Sequence, residues 1–376
     1  MFLMVAEVLH LPQIASLYPE SKFWNTIKFH TTHVDWAGCS LHDLIQPSFS
    51  FLVGVALPFS IANRVLRGDT FAMMTLHALW RSLVLILLGV FLRSTHVSQT
   101  NWTFEDTLTQ IGLGYFFLYL LGWIKPHFAW ITFIAILIGY WTAWVLYPSA
   151  SPEFISHWEK NKNLGWAFDQ WFLNLFPRKT PFTENSGGYL TLSFIPTLAT
   201  MILGLIAGRW LQHTQFSSRN TSDEESSLSQ KPASLNHSKL LLYLMGTGLV
   251  CIALGYALHA FGICPNVKRI WTPAWVLYSG GWCFLLLAFF VTIVDIYSIR
   301  WLFFPFYVFG VNSIAIYCLS HLIDGFIAKS LHTHLGKSLF QHFGTEYEPL
   351  LTGAGVFLVL WLVLYWMFRR KLFLKI

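Results

Sequence analysis

Proton-handling side chains crowd one short stretch of this chain. His30, His33, Asp35, Trp36, His42 and Asp43 follow one another within HTTHVDWAGCSLHD, just before an apolar run that opens at Leu44. Imidazole titrates near neutral pH, so a histidine held in such a place can take a proton from an amine or a hydroxyl. The carboxylates Asp35 and Asp43 are the candidates to orient it, and a helix beginning just beyond would favour developing negative charge. The plain alternative is an ordinary polar loop. Zinc is a competing idea, since His30, His33, His42 and Asp43 are ligand types, but their spacing fits no established zinc signature and no metal is expected.

Three further groups carry chemistry. Asn312, Tyr317, Ser320, His321 and Asp324 interrupt an apolar helix, and Tyr317, His321 and Asp324 stand at i, i+4 and i+7 on one helical face. They read either as interhelical hydrogen bonds or as a polar stripe lining a cavity. Lys268 and Trp271 form an interfacial pair, explained by snorkelling or by an anion-binding corner. Arg64, Arg67 and Arg81 are basic residues around the second and third apolar runs, explained by charge bias at a membrane face or by contact with the phosphates of a donor. A Walker A loop, a dinucleotide glycine fingerprint and a GxSxG elbow are all absent from the sequence, which argues against an ATP-driven pump, a dinucleotide enzyme and an α/β-hydrolase.

The elements that must position these groups are membrane helices. The 376 residues are 55% hydrophobic and only 11% charged, with a mean hydropathy of +0.53, whereas soluble domains carry roughly 25% charged residues. Long apolar runs in lipid must satisfy their own backbone, so the fold expected is all-α: a polytopic transmembrane helical bundle of about ten spans. They are placed near Met1–Leu17, Leu44–Val65, Met74–Phe91, Leu108–Trp123, Phe128–Leu146, Leu190–Leu211, Leu240–Phe261, Trp275–Asp295, Leu302–Ala328 and Leu350–Phe368. Pro58 should kink the second. Asp43 sits where an N-cap would sit.

Residues 1–214 form an N-terminal half with an aromatic, folded outer loop at 148–189. The Ser-rich, charged segment 215–237 reads as a flexible cytoplasmic linker, and 238–376 forms a C-terminal half. Basic loop ends beside the spans put both termini in the cytoplasm. Cys251, Cys283 and Cys318 read as core residues, while Cys39 and Cys264 fall in loops on one side, where a disulfide is one alternative. The net charge of +6 is scattered, which does not suggest nucleic acid.

An ordered set of motifs then carries a likeness. His33-x-x-Trp36-x-Gly38, Asp43-Leu44-x-x-Pro47-x-Phe49-x-Phe51-x-x-Gly54, Arg81 in WRSLVLILLG, Gly208-Arg209, Lys268-x-x-Trp271 and Gly310-x-Asn312-Ser313-Ile314 with Tyr317 and His321 resemble the heparan-alpha-glucosaminide N-acetyltransferase family and its bacterial relatives. The resemblance implies a transmembrane acyltransferase of a bacterial cytoplasmic membrane. It would use acetyl-CoA as co-substrate, with no permanently bound cofactor, and an amino sugar or envelope glycan as acceptor. His33 would be the base or acyl carrier and Asp43 its partner. Asn312 and His321 would hold the thioester carbonyl or the acceptor. Arg81, Arg64 and Arg67 would meet the donor, and Trp36, Lys268, Trp271 and Tyr317 the substrate. A homodimer is allowed. The competing reading is a transporter or flippase of a small anionic or sugar-linked solute; it predicts paired broken helices in two inverted halves.

Overall fold

The computed structural model describes residues 1–149, 151–224 and 234–374. In chain order its helices are α1 (Phe2–Val5), α2 (Leu11–Ala15), α3 (Lys22–Thr31), α4 (Ile45–Leu66), α5 (Phe71–Ser94), α6 (Thr107–Trp123), α7 (Pro126–Leu146) and α8 (Leu164–Phe172). They continue as α9 (Phe194–Glu224), α10 (Ser234–Ala260), α11 (Pro273–Phe290), α12 (Phe304–Val311), α13 (Ser313–Leu322), α14 (Asp324–Leu335), α15 (Lys337–Phe340) and α16 (Glu348–Arg369). Among the described residues the extended pairing is a single antiparallel bridge, Ala37 to Val267. The all-α expectation holds.

Among the described residues seven helices are long and apolar enough to cross a membrane, or eight if the bent pair Trp301–Val311 and Ser313–Leu322 counts as one span. About ten was expected, and three places account for the difference. Met1–Leu17 is no continuous helix: a 3-10 turn over Ala6–Leu9 and a left-handed His10 (φ 51°) separate α1 from α2. At 17 residues α6 is short of the roughly 20 that a span needs. The ninth run is broken twice, at Asn312 and at Ile323, with a bend of 70° at the first break. Of the expected linker at 215–237, residues 225–233 lie outside the described residues.

The chain forms two compact units. The larger comprises Trp36–Gly38 and Gln46–Ser298. Side chains start its helices: Thr70 caps α5, Asp106 caps α6 through Leu108 N (2.9 Å) and Thr109 N (3.2 Å), Asn163 caps α8, and Thr272 caps α11 ahead of Pro273. The apolar part of α9, within Thr191–Thr214, is largely buried. It meets α4 backbone to backbone, because a Cβ at Gly54 would strike the carbonyl of Met201 and one at Gly204 that of Phe51. Small residues at such crossings let membrane helices approach closely. At the end of α6, Arg209 donates to the carbonyls of Leu121 (2.8 Å), Gly122 (3.1 Å) and Ile124 (2.8 Å), a cation satisfying orphan helix carbonyls.

Aromatic packing and buried polar bonds order the 148–189 loop. Trp144 stacks on Trp158 at 5.3 Å, Trp36 donates to the Trp158 carbonyl (3.2 Å), and Asp169 accepts from Thr191 N (3.0 Å).

The smaller unit comprises Met1–Asp35, Cys39–Ile45 and Ile299–Ile376. Its core is Val5, Val308, Phe309, Ala315, Ile316, Ile327, Val356, Leu360 and Leu364. The N-terminal segment lies so close to α16 that a Cβ at Gly353 would strike the carbonyl of Val8. That contact pins the turn carrying Glu7.

Candidate active site

The histidine stretch folds around one buried carboxylate. Helix α3 ends at Thr31 and the backbone runs extended through Thr32. The Thr32 carbonyl accepts from Ser40 Oγ at 2.7 Å, closing a loop that brings His33 beside Asp43. Asp43 is 1% exposed. Its Oδ1 accepts from His33 Nδ1 at 2.8 Å, and its Oδ2 accepts from Val34 N (3.2 Å) and Ser40 N (3.1 Å) and shares the Ser40 hydroxyl proton with the Thr32 carbonyl (Oγ at 2.9 Å). A buried charge is tolerated only with such a full set of donors. Asp43 thus accepts from the loop that precedes α4. The candidate partner Asp35 is exposed, and Asp43 is the carboxylate that orients the ring.

The Nδ1–H bond to Asp43 puts the basic lone pair of His33 on Nε2, and the His33 side chain is 38% exposed. Its ring sits 4.4 Å, centroid to centroid, from that of His42. His42 is buried, and its Nε2 donates to Glu7 Oε1 at 3.0 Å. Partial burial pushes the Glu7 carboxyl up, but the hydrogen bond from His42 and the charges of His42, His33 and His321 outweigh it, so Glu7 is held below its ordinary value. Two carboxylate–imidazole pairs thus stand side by side. The sequence reading did not assign Glu7; an acidic residue inside an apolar run was the available signal.

His321 belongs to the same neighbourhood through its effect on Glu7. Its Nδ1 donates to the Tyr317 carbonyl at 2.8 Å and its ring stacks on Tyr317 at 4.6 Å. The predicted stripe stops there: α13 ends at Leu322, and Asp324 starts α14, where it accepts from Gly325 N. Asn312 is buried in the helix break. Its Nδ2 donates to the Leu372 carbonyl (3.0 Å) and its Oδ1 accepts from Leu374 N (3.1 Å), so this amide holds the C-terminal tail.

The remaining candidates belong to the larger unit. Arg81 Nη1 donates to Tyr115 OH (3.1 Å), and its guanidinium lies 4.6 Å from the centre of that ring. Its Nε is buried with no hydrogen-bond partner. Arg64 pairs with Asp69 at 3.3 Å and Arg67 is exposed. Lys268 is buried, and Trp271, left-handed at φ 49°, donates its indole N–H to Thr200 Oγ1 at 3.1 Å. Among the described residues no disulfide forms, so Cys39 and Cys264 are not joined. Among the described residues no three His, Cys, Asp or Glu side chains group to hold a metal ion.

Fold and site define a polytopic helical membrane protein with a carboxylate-oriented imidazole in its N-terminal region. No family model matches the chain. It is similar to human heparan-alpha-glucosaminide N-acetyltransferase, at 21% identity over 406 aligned residues. The alignment takes in 96% of this chain and 57% of the human protein, so the chain spans little more than half the length of that relative.

Proposed function

We propose that the protein is a membrane acyltransferase that moves an acetyl group from acetyl-CoA to the amine of an amino sugar or glycan, with His33 as base and Asp43 as its orienting partner. The observation that carries the reading is the 2.8 Å bond from His33 Nδ1 to a buried, multiply bonded Asp43. That bond selects the tautomer whose Nε2 accepts a proton. The similarity to an N-acetyltransferase along almost the whole chain supports the class. In the reaction, His33 Nε2 takes a proton from the acceptor amine and the nitrogen attacks the thioester carbonyl. The C–N bond forms, the C–S bond breaks, and the CoA thiolate recovers the proton. The alternative order passes the acyl group first to the imidazole.

Arg81, Arg64 and Arg67 are proposed to meet the phosphates of a donor arriving from the cytoplasm, and Trp36, Lys268, Trp271 and Tyr317 to meet the acceptor. The test is acyl transfer from labelled acetyl-CoA to glucosamine in proteoliposomes. Wild-type protein should transfer label and His33→Ala should not. Equal rates for the two proteins, or uptake of the sugar without acylation, would overturn the assignment.

A further inference from the structure

An amine acceptor raises a problem that His33 alone does not solve. At neutral pH a sugar amine is largely an ammonium ion, which must be gathered into the site before it can surrender a proton. The structure places a second carboxylate beside the imidazole pair. One oxygen of Glu7 is taken by His42 Nε2 at 3.0 Å, and among the described residues the other makes no hydrogen bond. The Glu7 side chain is 57% exposed, in contrast to the buried Asp43. Asp43 accepts from His33, Val34 N–H and Ser40 N–H and has a structural task, whereas Glu7 is open on one side. His42 touches Glu7, and the charges of His33 and His321 also act on it. In their neutral forms these rings offer lone pairs and donors to a polar ligand and no competing positive charge.

We propose that Glu7, positioned by His42, receives the acceptor's ammonium group and so selects amines over hydroxyls; this rests on the acyltransferase reading above. One ammonium N–H donates to the second oxygen of Glu7 while another points to His33 Nε2. One proton passes to His33, which releases it to solvent through its exposed side; the resulting amine stays tethered to Glu7, and His33 takes the second proton as the nitrogen attacks the thioester carbon and returns it to the CoA thiolate. A hydroxyl acceptor carries no positive charge and gains nothing comparable from the carboxylate. His42 is a positioning residue in this scheme, fixing which Glu7 oxygen remains open.

Binding can be read without turnover. Glucosamine is titrated calorimetrically into full-length detergent-solubilised protein in the absence of acyl-CoA, with N-acetylglucosamine as the uncharged control. For Glu7→Gln the Kd for glucosamine should rise roughly tenfold to a hundredfold, the range expected for losing one charge-assisted hydrogen bond, and the control should not change. In the transfer assay the KM for glucosamine should rise with kcat altered less than about threefold, the pattern of a lost binding contact. Glu7→Asp keeps the charge but withdraws it by one methylene; it should weaken glucosamine binding to a lesser degree, and it decides the matter if Glu7→Gln does not fold. Equal glucosamine affinity in wild type and in the variant that folds, or no glucosamine binding to wild type, overturns the proposal. Glu7-dependent binding without acyl transfer would sink the acyltransferase reading alone; acyl transfer indifferent to Glu7 would sink the anchor alone.

Discussion

Replacing Asp43 by asparagine is the sharpest perturbation of the proposed centre. The substitution keeps shape and removes charge. Asp43 now accepts His33 Nδ1–H, Val34 N–H and Ser40 N–H, all within 2.8–3.2 Å, and shares the Ser40 O–H with the Thr32 carbonyl. An asparagine offers one acceptor oxygen in place of two and turns its NH2 toward one set of these donors. If the oxygen stays with the loop donors, the NH2 faces His33 and donates to Nδ1. That reverses the tautomer, moves the ring proton to Nε2 and removes the base. If the amide flips, the loop loses its acceptor. The flipped arrangement strands the buried loop donors at about 1–3 kcal/mol each.

Loss of general-base help should lower kcat by about 10²–10⁴-fold in the proteoliposome assay, with acetyl-CoA KM little changed. Combining Asp43→Asn with His33→Ala should cost little beyond His33→Ala alone, because the two residues act as one unit. An Asp43→Asn protein that folds normally and keeps kcat within about threefold of wild type would refute the reasoning, since the aligned acceptor is what the mechanism requires.

Two further outcomes test the scaffold. Gly204→Val puts a branched side chain against the Phe51 carbonyl on α4, and overpacking at a helix crossing should greatly reduce the monodisperse fraction in size-exclusion chromatography. In the outer loop, burial pushes the Asp169 carboxyl up to about 7, more than its bonds from Thr191 pull it down. The folded protein therefore holds a proton there that the unfolded chain releases at lower pH, so between about pH 4 and 7 stability falls as pH rises. Thermal unfolding should shift upward on acidification from pH 8 to 5 in wild type and respond less in Asp169→Asn; an identical pH response in the two would contradict this.

Membrane class and helix placement were legible in the sequence because a backbone in lipid must bond to itself, so apolar length alone demands helices. The caps Thr70, Asp106 and Thr272 were not named from the sequence, although they act within two or three residues of themselves. Met1–Leu17 and Leu302–Ala328 were each read as one span; the breaks at His10, Asn312 and Ile323 were not legible, because apolar length does not report where a helix is interrupted.

Local pattern placed His33 and Asp43 ten residues apart with no periodic relation. Only the loop closed by Ser40 on Thr32 sets their rings and oxygens at bonding distance, because that contact depends on where the chain turns. Asn312 looked like a catalytic amide from its neighbours and is claimed by the tail at Leu372 and Leu374, sixty residues on. Glu7 and His42, thirty-five residues apart, meet only because the N-terminal turn is pinned on α16 at Gly353. Spacing along one strand of sequence determines helices and caps, since those bonds are short-range. Which distant polar groups share a proton is decided by packing, since only the folded backbone brings their atoms within reach.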